Sequence, residues 1–216
     1  MMPIKEPEEV KALYKGVTAA LDADYGDGRK VGNCQHGVYL FYDYDGEPIY
    51  VGRTMESLRT RIRRHLTNQR TDAVAMSVLD PFEVAEIEMW PFWNLEKVEE
   101  RKAKQILVRA EYTVYQNAVK RSQFSVILNE QDITRADEIE LPKSIRLSVL
   151  PDELRQQREH PDIRLARRAR TIANLARVIS ERKVTKGIRR TLWAQAQRLA
   201  HLAKTRLEEF ENRDDY

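Results

Sequence analysis

The run Gly37-Val38-Tyr39-Leu40-Phe41-Tyr42-Asp43-Tyr44, then Asp45-Gly46, then Glu47-Pro48-Ile49-Tyr50-Val51-Gly52 decides the fold. Aromatic and β-branched residues favour strands. Asp-Gly between two such runs predicts a tight type I′ hairpin turn, because Gly accepts the positive φ that the turn requires. Pro48 has no amide to donate, so that position is expected to face away from the partner strand. Such a hairpin brings Tyr39 and Tyr50 into one neighbourhood.

Downstream, Ser57 is placed to cap a helix from Leu58 to about Asn68, with Leu58, Ile62 and Leu66 as its apolar stripe. At about 100° per residue, Arg61 and His65 fall together on one edge of that stripe. Alternation of Ala85, Ile87 and Met89 with Glu86 and Glu88 predicts a third, half-buried strand within 82–92. Asn94 then reads as a cap. Leu95, Val98, Ala103, Ile106, Leu107, Ala110, Val114 and Ala118 predict one long helix of about 24 residues, with Glu111 at the rim of its stripe. Phe124 to Leu128 reads as a short buried strand. Upstream, Val10, Leu13, Tyr14, Val17 and Leu21 predict an amphipathic helix from Glu6 to Ala23, and 24–35 a loop. The class is α/β of the α+β kind: a small three-stranded sheet flanked by helices.

Beyond it, 131–162 holds Pro142, Pro151 and Pro161 without a long period and reads as a linker. Two further helices, Ile163 to about Lys183 and Ile188 to Phe210, form a helical hairpin. The organisation is thus an N-terminal helix and loop (1–34), a core (35–130), the linker, and a helical module (163–216). Charge is divided unequally among them. Residues 35–142 carry 14 basic and 18 acidic side chains, net −4, whereas 143–210 carry 17 and 7, net +10. A solvated Arg-rich surface and a polyanion-binding appendage both fit that imbalance.

The chain has 216 residues, net charge +3 and 42% hydrophobic residues, enough for a real core. Its one cysteine, Cys34, excludes an internal disulfide and a multi-thiolate zinc site. No apolar run is long enough for a membrane span or a signal peptide, so no membrane partner is expected and a reducing cytoplasm is the expected location. P-loop, GxGxxG, HExxH and CxxC motifs are all missing. What remains is a set of polar residues at element edges: Tyr39, Tyr50, Arg61, His65 and Glu111. Singly, these read as ordinary strand tyrosines, solvated helix residues and a surface carboxylate. Together they form a set that can handle a phosphate.

Gly37-Val38-Tyr39, ten residues, then Tyr50-Val51-Gly52 resembles the paired tripeptides of the GIY-YIG nuclease family, with Val for Ile twice. Arg61 falls where the family has its helix arginine, His65 where it has His or Tyr, and Glu111 where it has a metal-binding Glu. Asn129 resembles the Asn that closes the domain, in a supporting role, and Arg53 stands where many members have Lys. The likeness covers about 35–130.

It implies hydrolysis of a DNA phosphodiester by an activated water and one divalent cation, Mg²⁺ or alternatively Mn²⁺, held by Glu111 with waters and phosphate oxygens. Within that reading Tyr39 is the base, His65 accepts or relays the proton, Arg61 neutralises transition-state charge, Tyr50 orients water or phosphate, and Arg53 contacts phosphate. Arg59, Arg63 and Arg64 are expected to bind nucleic acid. In the helical module, Arg164, Arg167, Arg168, Arg170, Lys183, Lys186, Arg189 and Arg190 have the same expectation. Self-association of that module into a homodimer is the other use of its apolar stripe. A restriction or defence endonuclease is the first expectation, and a structure-specific nuclease of repair, recombination or mobile elements the second. A noncatalytic nucleic-acid-binding adaptor is the rival from another class. The joint presence of Tyr39, Arg61 and Glu111 argues against it.

Overall fold

The computed structural model describes residues 8–66, 79–129 and 131–212. Its elements are α1 (Glu8–Asp22), β1 (Gly37–Tyr42), β2 (Pro48–Thr54), α2 (Leu58–Leu66), β3 (Glu86–Pro91), α3 (Glu100–Arg121), β4 (Ile145–Ser148), α4 (Asp152–Arg158), α5 (Pro161–Glu181) and α6 (Lys186–Glu211). The expected ends of the first two helices, at Glu6 and Asn68, lie outside the described residues.

The sheet is antiparallel throughout, in the order β2-β1-β3-β4. All six residues of β1 are buried, as expected of a central strand covered on both faces. Tyr39, Phe41, Ile49, Ile87 and Met89 point to the layer formed by α1 and α2, where Leu13, Val17, Leu21, Leu58 and Ile62 pack. Val38, Leu40, Val51 and Trp90 point the other way, onto Ala103, Leu107, Ala110 and Val114 of α3. The core is therefore three layers, helix on sheet on helix. Ser57 caps α2, its hydroxyl accepting from the Thr60 amide at 3.0 Å.

Several sequence expectations change. The hairpin turn has three residues rather than two. Gly46 donates to the Asp43 carbonyl, Asp43 donates to the Glu47 carbonyl, and only Gly46 takes a positive φ, of 72°. This is a type I turn followed by a left-handed Gly, and the Asp43 carboxylate holds it by accepting from the Asp45 and Glu47 amides. The long helix begins at Glu100, because Trp93–Lys97 form a 3-10 turn. Phe124 to Leu128 are not a strand, although the Leu128 amide donates to the Ile49 carbonyl.

The sheet has four strands, not three, and the fourth comes from the segment read as a linker. Within it Ile145 and Leu147 pack on the α1–α2 layer, while Arg146 stacks on Tyr42 at 3.7 Å and bonds Glu86. Tyr42, Tyr44 and Trp90 pack in the core or at its rim, Tyr44 donating to the Phe82 carbonyl.

α5 and α6 pair through Leu175, Ile179, Ile188 and Leu192. Arg206 near the end of α6 bonds Asp162 at the start of α5, so the two run antiparallel. The charge imbalance is resolved at the junction with the sheet. Asp43, whose side chain is 1% exposed, accepts from Arg168 at 2.9 Å and from Arg198 at 2.5 Å. Arg164 lies 3.7 Å from Asp43 and chelates Asp45 with two hydrogen bonds. Arg168 also bonds Glu83 at 3.0 Å, and Arg167 bonds Asp80. Part of the basic module's charge is thus the counterion of the acidic core.

Candidate active site

The β1–β2 register sets Tyr39 opposite Gly52 and Phe41 opposite Tyr50. Tyr39 and Tyr50 are therefore diagonal neighbours on one face, their ring centroids 6.4 Å apart. His65 of α2 completes the aromatic group, 5.0 Å from Tyr50 and 5.8 Å from Tyr39. Gly52 is required here, since a Cβ would meet the Tyr39 hydroxyl at 2.3 Å and its Cζ at 2.5 Å. That absent side chain lets the Tyr39 hydroxyl reach the wall of a cleft of about 460 Å³.

Tyr50, Gly52, Arg53, Arg61, Glu111 and Asn129 line that cleft. β2, α2 and α3 each contribute to it, so residues far apart in sequence meet in one place. Tyr39 and His65 lie behind its wall, both buried. The Tyr39 hydroxyl and the Arg61 Nε are buried and make no hydrogen bond of good geometry, although the Arg61 guanidinium lies close enough to the phenol to act on it as a donor. Burial pushes the Tyr39 phenol well above its ordinary 10, and neighbouring Tyr50 adds to the rise. The Arg61 guanidinium opposes that rise and is itself drawn up by the two tyrosines despite its desolvation.

Glu111 has a side chain only 12% exposed and faces Arg53, whose Nε and Nη1 both lie 3.4 Å from Oε2. Burial raises the Glu111 pKa above 4.5, and Arg53 and then Arg61 oppose the shift. Asn129 has a structural task. Its Oδ1 accepts from the Val51 amide at 3.2 Å and its Nδ2 donates to the Val51 carbonyl at 2.8 Å, so the side-chain amide substitutes for a neighbouring strand along the free edge of β2.

Among the described residues no group of three or more His, Cys, Asp or Glu converges as a metal site. A cation held by a single carboxylate is compatible with that, because Mg²⁺ keeps most of its waters and uses one or two carboxylates plus substrate oxygens. The cleft supplies one shielded carboxylate, Glu111, whose oxygens fit such an ion once waters and phosphate oxygens complete its shell.

The expected nucleic-acid contacts do not gather at the cleft. Arg59 bonds Asp22, Asn33 and the Leu21 carbonyl, so it ties α2 to α1. Arg63 bonds Thr18, and Arg64 bonds Glu56. Arg168 is buried in the Asp43 cluster and Arg167 is paired with Asp80. Arg170, Lys186 and Arg189 are exposed. Arg190 does approach the site, bonding Asp132 of the 131–134 loop that forms the far wall of the cleft. Lys104 also lines the cleft and was not singled out from sequence. Its signal is the seven-residue spacing to Glu111, which puts both on one helix face.

Residues 35–118 match the family model of the GIY-YIG catalytic domain. The paired tripeptides, the helix arginine and the later glutamate all fall inside that match, so this part of the chain is similar to the catalytic domain of a nuclease family. No curated protein and no solved structure matches the chain at a significant level. Among the described residues no helix is long and apolar enough to cross a membrane.

Proposed function

We propose that the protein is a metal-dependent DNA endonuclease whose active site is the cleft between β2, α2 and α3. The observation that carries this reading is the pair of buried, unpartnered polar atoms, Tyr39 Oη and Arg61 Nε, beside a cleft holding Glu111 and Arg53. Orphaned polar atoms cost stability, so they mark a site kept for a ligand with oxygens to share. A phosphodiester and its attacking water are such a ligand.

In this reading Glu111 holds the divalent cation, Mg²⁺ or Mn²⁺, with water and phosphate oxygens. Bound there, the ion would offset phosphate charge and acidify a coordinated water. Tyr39 accepts the proton of the attacking water, and His65 behind it takes or relays that proton. Arg61, permanently charged, neutralises negative charge growing on the phosphate oxygens. Tyr50 orients water or phosphate from the cleft wall, while Arg53 steadies Glu111 and contacts phosphate.

The test is incubation with supercoiled, linear and branched DNA in Mg²⁺ or in EDTA. Discrete Mg²⁺-dependent fragments from linear DNA are expected, in keeping with a restriction or defence endonuclease that has a compact accessory region. Cutting confined to branched DNA would favour the repair or recombination setting. Binding without any cutting would favour the adaptor.

The Glu111 environment sets one acid edge of the pH response. Cation binding needs the carboxylate, and burial raises its pKa, so the acid edge of cleavage should lie above that of an ordinary glutamate, with activity lost as pH falls through it. Arg53 is the larger of the two opposing influences. In Arg53→Gln the edge should move to higher pH, and added Mg²⁺ should partly restore the rate. A pH–rate profile with an unmoved edge would remove Glu111 from the metal role.

A further inference from the structure

Lys104 borders two cavities at once. One is the catalytic cleft. The other is a groove of about 800 Å³ on the outer face of α3, with Arg101, Lys102, Lys104 and Arg109 around it. Ile106 and Val108 form part of its apolar floor, and the far wall is residues 136–137, in which Asp137 is the one acidic group. The loop from 131 onward borders both cavities, and Lys104 stands between them as the residue they share.

Helix geometry aligns one of these charges, Lys104, with Glu111, whereas Lys102 stands on the opposite side of α3 and borders only the groove. Lys104 precedes Glu111 by seven residues, about 10.5 Å along α3 and only about 20° around it. Arg101 lies one turn further on. Arg101, Lys102 and Lys104 are exposed, and Arg109 is engaged with the Asp137 carbonyl, holding the far wall to the helix. The arginines of α5 and α6 nearest the core are spent on Asp43, Asp45, Glu83 and Asp80. The basic residues of α3 reach the cleft at Lys104.

We propose that the α3 groove holds the DNA backbone on one side of the scissile phosphate, with Arg101, Lys102 and Lys104 contacting its phosphates. The proposal rests on the nuclease reading for the location of that phosphate. Charge complementarity selects the occupant: three exposed cations with a single acid opposite form an anionic-polymer track, and the apolar floor suits the deoxyribose faces between phosphates. These contacts position the strand and carry no sequence information.

The experiment uses the full chain and a fluorescently labelled DNA duplex in EDTA, with affinity measured over a salt series. The Arg101→Ala/Lys102→Ala/Lys104→Ala variant should bind about tenfold or more weakly at low salt. Its slope of log affinity against log salt should be shallower by about two to three, since each phosphate contact contributes close to one. Lys15→Ala/Arg177→Ala/Lys204→Ala, which removes the same charge at exposed sites elsewhere, should leave affinity and slope nearly unchanged. Equal slopes for the α3 variant and wild type would overturn the groove, even if wild type cuts DNA and Glu111→Ala does not. A wild type that never cuts but loses affinity and slope in the α3 variant would overturn the nuclease reading and leave the groove standing. A wild type that does not bind DNA overturns both.

Discussion

Tyr39→Phe is expected to lower the cleavage rate by about 10² to 10⁴, the usual contribution of a positioned proton acceptor, while making the protein more stable. The two effects share one cause. The hydroxyl is fully buried, makes no hydrogen bond of good geometry, and reaches a cleft wall opened by the bare backbone of Gly52. A buried unsatisfied polar group costs about 1 to 3 kcal/mol, and Phe keeps the ring packing against Phe41 and His65 while removing that cost. Urea denaturation in EDTA should therefore give a higher midpoint for the variant with an unchanged slope. Such a trade is the signature of a group kept for function against stability. A variant that is both less stable and inactive would mean that the hydroxyl bonds within the folded protein and that its loss is felt through structure.

Burial also constrains how Tyr39 can act. A phenol pushed above its ordinary 10 is a stronger base once ionised and a scarcer one at neutral pH. Arg61 is the residue on hand to favour the ionised form, and its Nε is the neighbouring orphan. The two are best treated as one unit, so removing either should cost nearly as much as removing both.

The sequence made the catalytic half legible because its signals are local. β-prone runs on either side of Asp45-Gly46 marked the hairpin, Ser57 marked the start of α2, and the order Tyr39, Tyr50, Arg61, His65, Glu111 marked the candidate site. The turn was misread because Asp-Gly is compatible with two loop lengths, and what selects the longer is the Asp43 carboxylate accepting two amides. The fourth strand was illegible for a different reason. Ile145-Arg146-Leu147-Ser148 is too short to show a period, and it becomes a strand only because β3 offers it a free edge. Lys104 was visible as a spacing but not as a function, since only the fold reveals that its helix edge opens onto the cleft.

Asp43→Ala is expected to destabilise the protein by about 3 to 5 kcal/mol, the loss typical of leaving a buried charge without its partner. Here the uncompensated charges are plural. Arg168 and Arg198 both donate to Asp43 Oδ2, Arg164 lies close by, and the side chains of all three arginines are no more than 4% exposed. Their charge contributes to the net +10 that made the helical module resemble a polyanion-binding appendage, yet in the folded chain these three meet the acid of the β1–β2 turn and of Glu83. Asp43→Asn separates the two tasks of the residue: an amide oxygen can still accept from the Asp45 and Glu47 amides, so any remaining loss reports the ion cluster. Chemical denaturation should rank wild type above Asp43→Asn above Asp43→Ala, and limited proteolysis should cut the α4–α5 region first as the hairpin loosens. Loosening should also free three guanidiniums, so nonspecific, salt-sensitive DNA affinity should rise in Asp43→Ala as stability falls. If affinity instead falls with stability, the docked hairpin is part of the DNA-binding surface and its role as internal counterion is secondary.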